Sequence, residues 1–405
     1  MNSDKLKVLL VPADFYHAEG NIALNLKESC HEIEFFLFAA HDIPKRFEEF
    51  IGLLKKVDVV HFLMNLCNIN FPRDLDKDEF FKNLPCASVS TVHHICQGEE
   101  IKLYEAQKLD MIHVVSKEWQ EIIKDNYNQD TFLAQLGVDK KKFNKNIRTR
   151  PGSPFKIGMF GFFVEYKNRK RLDVFINALA LLKGKNFDFE VILQGQLHPN
   201  IKAELVRNNI PYKYYGILDS ENAFQAYKKV DCYVITADVE GGPFSTLEAL
   251  ASGVPLITTA VGMSKEVIKN GINGIVIEKN NPKLLCDSIY KLGTDQDFYN
   301  KLVKEGLNDV KEYDWRNIGK KYTQLYRETF KVKAQHSKPT KVVSGFNITL
   351  KNKEVLQRDL LRESAFLYKY NNYRGSAKLF IRSLMSGYAD LGVYKEYLKK
   401  IIYKA

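Results

Sequence analysis

The chain has 405 residues, of which 45% are hydrophobic and 27% charged, values typical of a soluble globular protein with two or three domains. No apolar run approaches the roughly 18 residues that a membrane span requires, and the apolar segment before Asp14 is too short for a signal peptide. The six cysteines are scattered without a Cys-x-x-Cys pair, which argues against a zinc site and favours free thiols in a reducing compartment. The formal net charge is +11, and residues 331–405, with 16 basic and 5 acidic residues, account for all of it.

The first part of the chain alternates short apolar, β-rich segments with helical or loop segments. This alternation predicts a doubly wound parallel sheet. The first strand is followed by a loop and helix over 17–27 that contain a single glycine, Gly20. The predicted strands cover 6–12, 33–39, 57–63, 87–93, 111–115 and 131–136.

A second alternating series begins after a predicted linker that contains Pro151, Gly152 and Pro154. Ligands on parallel sheets bind at the carboxyl ends of the strands, so each half of the chain is expected to present one binding edge. Neither half carries a Gly-x-Gly-x-x-Gly, which disfavours a nicotinamide-dependent dehydrogenase. The predicted strands cover 155–160, 189–194, 212–215, 232–236, 256–261 and 274–277.

The stretch 240–253 lies between two of these strands and reads Glu-Gly-Gly-Pro-Phe-Ser-Thr-Leu-Glu-Ala-Leu-Ala-Ser-Gly. Gly241 and Gly242 allow a sharp turn and a close approach of the backbone to a ligand. Pro243 suits the first helical position, where a missing N–H costs nothing, and Gly253 fits the end of the helix. The stretch therefore predicts a glycine loop followed by a short helix.

The start of this helix predicts an anion site. The N–H groups of Phe244, Ser245 and Thr246 are expected to be free, and the helix dipole places partial positive charge there, which favours a phosphate. Glu240 and Glu248 frame the site with carboxylates that accept hydrogen bonds from the hydroxyls of a sugar or a ribose.

Several spaced segments together resemble a known family. The stretch from Glu240 to Glu248 is followed by Ala-Leu-Ala-Ser-Gly-Val-Pro, then Val-Gly-Met-Ser-Lys-Glu-Val-Ile and Asn-Gly-Ile-Asn-Gly. In this order they resemble the donor-site signature of retaining GT-B glycosyltransferases of the family-four group, also called glycosyl transferases group 1. The resemblance implies two Rossmann-like doubly wound domains facing a cleft. These are an acceptor-side domain over 1–150 and a nucleotide-sugar domain over 151–310. A helix over 311–330 would cross back onto the first domain, and 331–405 would form a basic helical extension.

The resemblance also implies an activity, the transfer of a sugar from a nucleoside-diphosphate sugar to an acceptor hydroxyl. The anomeric configuration would be retained, and neither a metal nor a cofactor is implied. Glu240 would bind hydroxyls of the transferred sugar and Glu248 those of the ribose. His93, at the end of a predicted strand, would bind a sugar hydroxyl, with His94 as the alternative. Gly20 would border the donor, and Gly216 and Ile217 the nucleobase.

Basic residues would stabilise the departing diphosphate, because bond cleavage places negative charge on it. The family carries an Arg directly after a glycine and a Lys five residues further on. Here Gly161 is followed by Phe162, while the Lys is present as Lys167. Arg169 and Lys170 follow and could supply the charge of the missing Arg.

Two other functions remain open at this stage, because a fold alone does not decide function. One is a different enzyme on the same fold, such as a nucleotide-sugar epimerase or a phosphorylase. The other is a non-catalytic GT-B binding or assembly protein, for which Phe162 is the best indication. The expected partners are a nucleotide-sugar donor and a glycan, lipid-linked or protein acceptor. Nucleic acid is not expected, since no recognition motif accompanies the charge.

The basic extension has its own pattern. Residues 354–404 carry Leu, Ile, Phe and Tyr at helical spacing, with basic residues on either side. Apolar stripes with basic flanks suit an anionic membrane surface or self-association. The expected location is therefore cytoplasmic, with peripheral association at the inner face of the membrane as a further option.

Overall fold

The computed structural model describes residues 5–15, 18–72, 75–96, 99–143, 151–163, 169–197, 199–216 and 223–336. The described residues fall into two compact units. The first comprises 5–40, 53–69 and the described residues from 84 onward, and it contains both sheets. The second comprises 41–52, 70–72 and 75–83, where the ring of Phe71 packs 5.5 Å from those of both Phe80 and Phe81.

The N-terminal sheet has six parallel strands in the order β2-β1-β3-β4-β5-β6. All residues of β3 and β4 are buried, as expected for central strands of a parallel sheet that is covered on both faces. The strands are β1 (Leu6–Val11), β2 (Ile33–Leu37), β3 (Val59–Phe62), β4 (Ala87–Thr91), β5 (Met111–Val114) and β6 (Phe132–Leu133).

The C-terminal sheet also has six parallel strands, in the order β12-β11-β10-β7-β8-β9. The predicted doubly wound fold with two Rossmann-like sheets is confirmed, and each predicted strand overlaps an observed one. The strands are β7 (Phe155–Phe163), β8 (Phe189–Leu197), β9 (Tyr212–Tyr214), β10 (Cys232–Ile235), β11 (Leu256–Thr259) and β12 (Ile275–Ile277).

Fourteen helices accompany these strands in the described ranges, and none of them is long and apolar enough to span a membrane. The final helix continues to residue 336, whereas the rest of the predicted basic extension, 337–405, lies outside the described residues. The helices are α1 (Ala18–Ser29), α2 (Phe47–Leu54), α3 (Lys77–Lys82), α4 (Ile101–Ala106), α5 (Lys117–Tyr127), α6 (Lys140–Phe143), α7 (Leu172–Lys183), α8 (Pro199–Arg207), α9 (Ala223–Tyr227), α10 (Phe244–Ala251), α11 (Ser264–Val267), α12 (Pro282–Thr294), α13 (Gln296–Asp309) and α14 (Trp315–His336).

Helix α14 follows the C-terminal sheet in the chain but packs on α1, β3 and β4 of the N-terminal sheet. A buried hydrogen-bond chain runs from this helix across three strands. The Tyr326 hydroxyl lies 3.0 Å from His61 Nδ1, and His61 Nε2 lies 2.8 Å from Thr91 Oγ1, which is 2.9 Å from His113 Nδ1. These side chains are fully buried, so their polar atoms need hydrogen-bond partners within the protein.

Tyr322, one turn earlier in α14, offers a matched comparison. It is also fully buried, and its ring contacts those of both histidines, but its hydroxyl has no hydrogen-bond partner among the described residues. We expect Tyr326→Phe to lower the free energy of unfolding by about 1–2 kcal/mol, because His61 loses a buried partner. Tyr322→Phe should be close to neutral. Urea unfolding of both variants measures the difference, and equal losses would contradict the role of the Tyr326 hydroxyl.

Candidate functional site

The loop that joins β10 to α10 contacts the carboxyl end of β4. A Cβ added to Gly241 would lie 2.0 Å from the carbonyl oxygen of His93, and one added to Gly242 would lie 3.0 Å from Leu136 Cδ1. Trp119 Nε1 donates a hydrogen bond to the Glu240 carbonyl at 2.9 Å. Glycine is therefore required at Gly241 because the N-terminal domain leaves no space for a side chain.

The loop before α11 supports the glycine loop from the other side. Met263 N–H donates to the Gly241 carbonyl at 2.9 Å, and Gly262 has a φ of +48° and equally little space for a Cβ. The Gly262 N–H donates to the Glu118 carboxylate of α5 at 2.5 Å. The stretch Glu240–Gly242 is thus held between the N-terminal domain and α11.

The Glu240 carboxylate is buried, with 8% of the residue exposed, and each of its oxygens contacts a cation. Oε2 lies 2.6 Å from Arg169 Nη1, and Oε1 lies 2.8 Å from Lys170 Nζ. Burial alone would raise the pKa of Glu240, but the charges of Lys170 and Arg169 outweigh it and lower the pKa to about 2. Glu240 is therefore ionised at neutral pH despite its burial.

Hydrogen bonds to their carbonyl oxygens position the two cations in front of α7. The Asp238 N–H donates to the Arg169 carbonyl at 2.6 Å, and the Thr236 hydroxyl donates to the Lys170 carbonyl at 2.8 Å. Arg171 has a φ of +50°, and its guanidinium bonds to Asp238. The segment that carries the cations is thereby bonded to the segment that leads to Glu240.

The second acidic residue, Glu248, lies in a different environment. Its Oε2 accepts a hydrogen bond from the Tyr227 hydroxyl at 2.9 Å. Burial raises the pKa of Glu248 to about 7, although the hydrogen bond from Tyr227 and the charge of Lys142 act in the opposite direction. Glu248 also lines a cavity of about 540 Å³ together with Asn21 and Asn25 of α1. The pKa of about 7 means that Glu248 is partly protonated at neutral pH.

The start of α10 differs in two details from the prediction. Pro243 is not the first helical residue but the residue before it, with an extended ψ of 111°, so the helix begins at Phe244. Thr246 does not offer a free N–H, because it donates to the Pro243 carbonyl at 3.0 Å. The fully buried Thr246 hydroxyl pairs with Ser264 at 2.6 Å. Within the described part of the chain, the N–H groups without a protein partner at this terminus are those of Phe244 and Ser245.

Both histidines after β4 lie at this edge of the sheet, but they face different partners. His93 Nε2 lies 2.9 Å from the carbonyl oxygen of Leu63, so one ring nitrogen is already engaged within the N-terminal domain. Burial, followed by the charge of Arg169, lowers the pKa of His94 to about 3. His94 is therefore neutral, and its ring lies within electrostatic reach of the Glu240 ion pairs.

The sequence did not indicate a cluster formed by His94, Cys96 and Glu99, whose potential ligand atoms all lie within 4.8 Å of one another. The ammonium group of Lys102 bonds to the Glu99 carboxylate and lies 3.4 Å from the His94 carbonyl oxygen. The charge of Glu99 is thus already balanced by a protein cation. The only sequence signal was the short spacing His-x-Cys-x-x-Glu.

The remaining predicted site residues are only partly described. Gly20 lies in the first turn of α1 rather than in the preceding loop, and a Cβ there would lie 2.5 Å from the Asp14 carbonyl oxygen. Gly216 follows β9 with a φ of +78° and has space around it. Lys167 and Ile217 lie outside the described residues.

Comparison with known proteins shows similarity to one family of glycosyltransferases. The model of the family described as glycosyl transferases group 1 matches residues 140–309, the part that carries Glu240, Glu248 and both cations. This region of the chain is therefore similar to the glycosyl transferases group 1 family. An uncharacterized glycosyltransferase of Methanocaldococcus jannaschii is 24% identical over 363 residues, which are 79% of this chain and 98% of that protein. The mannosyltransferase LpsB of Rhizobium meliloti, named for lipopolysaccharide core biosynthesis, is 24% identical over 49% of this chain and 59% of its own length.

Solved structures of two other proteins share the fold of this chain. Anabaena HepE, in complex with UDP and glucose, has a TM-score of 0.64 at 13% identity and covers 80% of this chain and 100% of its own. The sucrose-phosphate synthase of Thermosynechococcus elongatus has a TM-score of 0.64 at 16% identity and covers 81% and 100%. These similarities establish the GT-B fold, with two Rossmann-like domains.

The raised pKa of Glu248 has a consequence for stability. Its ordinary value is 4.5, so between pH 4.5 and 7 the folded chain binds more protons than the unfolded chain. The stabilising effect of the neutral carboxyl is therefore present at low pH and is lost as the pH rises through 7. Glutamine stays neutral at every pH, so Glu248→Gln should not lose this stability. We therefore expect the free energy of unfolding of Glu248→Gln, relative to that of the wild type, to rise by about 2 kcal/mol from pH 5 to pH 8.

Urea unfolding at both pH values measures this difference. Glu278→Gln is the matched control, because Glu278 is an exposed carboxylate of the same domain. A pH-independent difference between Glu248→Gln and wild type would show that Glu248 ionises normally.

Proposed function

We propose that this glycosyltransferase moves a sugar from a nucleoside-diphosphate sugar to an acceptor hydroxyl with retention of anomeric configuration. One observation carries the proposal. An ionised, buried Glu240 and two cations converge at the start of α10, beside the histidines of the N-terminal domain. This arrangement offers an acceptor for sugar hydroxyls and positive charge for a diphosphate within a single site.

The two ends of the donor are assigned by these charges. The diphosphate is placed at the N–H groups of Phe244 and Ser245, with Arg169 and Lys170 nearby and Lys167 as a further cation. Glu240 then accepts hydrogen bonds from the transferred sugar, and Glu248 from the ribose. The nucleobase is assigned to the end of β9, at Gly216 and Ile217.

The proposed mechanism of retention is a displacement in which the acceptor attacks the same face of the sugar that the diphosphate leaves. The bond from the anomeric carbon to the diphosphate oxygen breaks, and the acceptor oxygen forms its bond on the same face. The departing diphosphate oxygen takes the proton of the acceptor. Two-step retention through a covalent intermediate would need a carboxylate on the face of the sugar opposite the diphosphate. The family motifs of this sequence contain no carboxylate that we assign to that face. His93 or His94 binds a hydroxyl of the sugar in this proposal.

The relatives and structural neighbours support the donor class and leave the acceptor open. HepE has been crystallised with UDP-glucose, and the poly(glycerol-phosphate) alpha-glucosyltransferase of Bacillus subtilis is 24% identical over 58% of this chain. By analogy, a uridine nucleotide donor is a reasonable first choice to test. The acceptor is proposed to be a glycan, a lipid-linked molecule or a protein.

The second candidate function is that of a GT-B binding or assembly protein without catalysis. It is favoured by Phe162, which replaces a cation of the family pattern directly after Gly161. An epimerase acting on a nucleotide sugar is a further alternative. Release of a nucleoside diphosphate coupled to a new glycosidic bond separates the proposed transferase from both.

The extension over 331–405 is proposed to localise the enzyme. Its 16 basic and 5 acidic residues give it the whole excess charge of the chain. This charge would attract it to an anionic membrane surface at the cytoplasmic side, at about 1 kcal/mol per basic residue near the surface. Self-association through the same segment is the alternative.

Substitution of the two glutamates tests the assignment of the donor ends. We expect Glu240→Gln to lower kcat about 100-fold with little change in KM, because this residue contacts the unit that reacts. Glu248→Gln should raise KM for the donor about tenfold with kcat nearly unchanged, since the ribose does not react. Glu278→Gln should behave as wild type. Equal, full activity of both site variants would contradict the assignment.

Transfer should not depend on a metal, because the helix N–H groups and the lysine and arginine side chains supply the positive charge. We expect turnover in excess EDTA to equal that without chelator. Loss of turnover that is restored by Mg²⁺ or Mn²⁺ would show that this account of the charges is incomplete.

A further inference from the structure

Arg169 and Lys170 are required by two anions in the proposed function. Both contact Glu240 at ion-pair distance, one on each carboxylate oxygen. Lys170 also lines a cavity together with Pro243 and Ser245 at the start of α10, where the donor diphosphate is placed, and Arg169 directly precedes Lys170 in the chain. The two side chains are 30% and 25% exposed, whereas that of Glu240 is 10% exposed. The cations therefore have more freedom to move than the carboxylate does.

Resting on the proposed function, we infer that Arg169 and Lys170 are shared cations. They neutralise Glu240 when the site is empty, and at least one of them moves to the diphosphate when the donor binds. When this cation moves to the diphosphate, one carboxylate oxygen of Glu240 loses its ion-pair partner. The hydroxyls of the transferred sugar then take that place as hydrogen-bond donors.

The energetic argument concerns the buried carboxylate. An ionised group away from water requires a partner, and removal of that partner is costly. A complete donor meets this requirement, because its sugar brings hydroxyls to Glu240 while its diphosphate draws the cations away. A free nucleoside diphosphate draws the cations away but offers no hydroxyls at that position. The loss of a cation is therefore compensated at Glu240 when the donor binds, but not when the product binds.

The consequence is a preference for substrate over product at the same site. Glu240 binds the sugar in the donor complex. After transfer it forms its ion pairs with Arg169 and Lys170 again, which assists the release of the nucleoside diphosphate. Lys170 and Arg169 are thus positioning residues for Glu240 as well as ligands of the diphosphate.

The first measurement is calorimetric titration of the full chain with UDP, GDP and ADP and with the matching nucleotide sugars. For the base that binds, we expect Glu240→Gln to lower the Kd of the nucleoside diphosphate about tenfold, because the cations are released. The Kd of the nucleotide sugar should stay unchanged or rise, since a sugar contact is lost. Glu278→Gln controls for the loss of one negative charge from the domain and should leave both Kd values unchanged.

A double-mutant cycle separates sharing from simple repulsion between Glu240 and the diphosphate. If the cations are shared, Lys170→Met should weaken binding of the nucleoside diphosphate at least threefold more in the Glu240→Gln background than in wild type. Equal effects in both backgrounds would overturn the inference and leave the donor site in place. Unchanged or weaker binding of the nucleoside diphosphate by a folded Glu240→Gln variant would do the same. Failure of the wild type to bind any of these ligands would overturn the proposed donor site and the inference together.

Discussion

The arrangement of this site depends on the contact between the loop Glu240–Gly242 and the end of β4. Gly241 lies so close to the His93 carbonyl oxygen that a Cβ would be 2.0 Å from it, and Trp119 donates to the carbonyl of the neighbouring Glu240. These contacts bring together residues that are more than a hundred positions apart in the chain. They place the Glu240 carboxylate and its cations beside the histidines of the N-terminal domain, where neither domain alone would form a complete site.

The charge at this contact is balanced within the protein. Glu240 is the buried anion. Arg169 and Lys170 are held in front of α7 by hydrogen bonds that their carbonyl oxygens accept from the Asp238 N–H and the Thr236 hydroxyl. An ionised carboxylate with two cationic partners can exchange one partner for sugar hydroxyls. A neutral carboxyl such as that of Glu248 below pH 7 is instead held by burial and one hydrogen bond. The two glutamates therefore differ in charge as well as in position.

Much of the fold could be predicted from the sequence because a parallel sheet has a strong local signal. A central strand such as β10 is buried at every residue and is a continuous apolar run. All twelve strands were located, although their ends shifted by a few residues. The glycine loop and the helix ending before Gly253, which has a φ of +65°, could be predicted for the same reason. Such features depend on neighbours in the chain.

Other features depend on distant residues and could not be predicted in this way. Three kinds of contact join segments that are between 18 and 71 residues apart. They are the hydrogen bond between His93 and the Leu63 carbonyl, the hydrogen bond between Thr246 and Ser264, and the ion pairs of Glu240. The raised pKa of Glu248 arises from burial that no local pattern encodes. The predicted first helical position of Pro243 was wrong by one residue, because proline suits both the first helical position and the extended residue before it.

The most direct test of this account follows donor consumption by proton NMR, with UDP-, GDP- and ADP-sugars and the full chain. The account predicts that the wild type consumes at least one donor and releases the sugar first as the anomer present in the donor. It predicts that Gly241→Val, which cannot bring its loop against His93, consumes none although its far-ultraviolet circular dichroism is unchanged. Consumption of no donor by the wild type, or undiminished consumption by Gly241→Val, would contradict it.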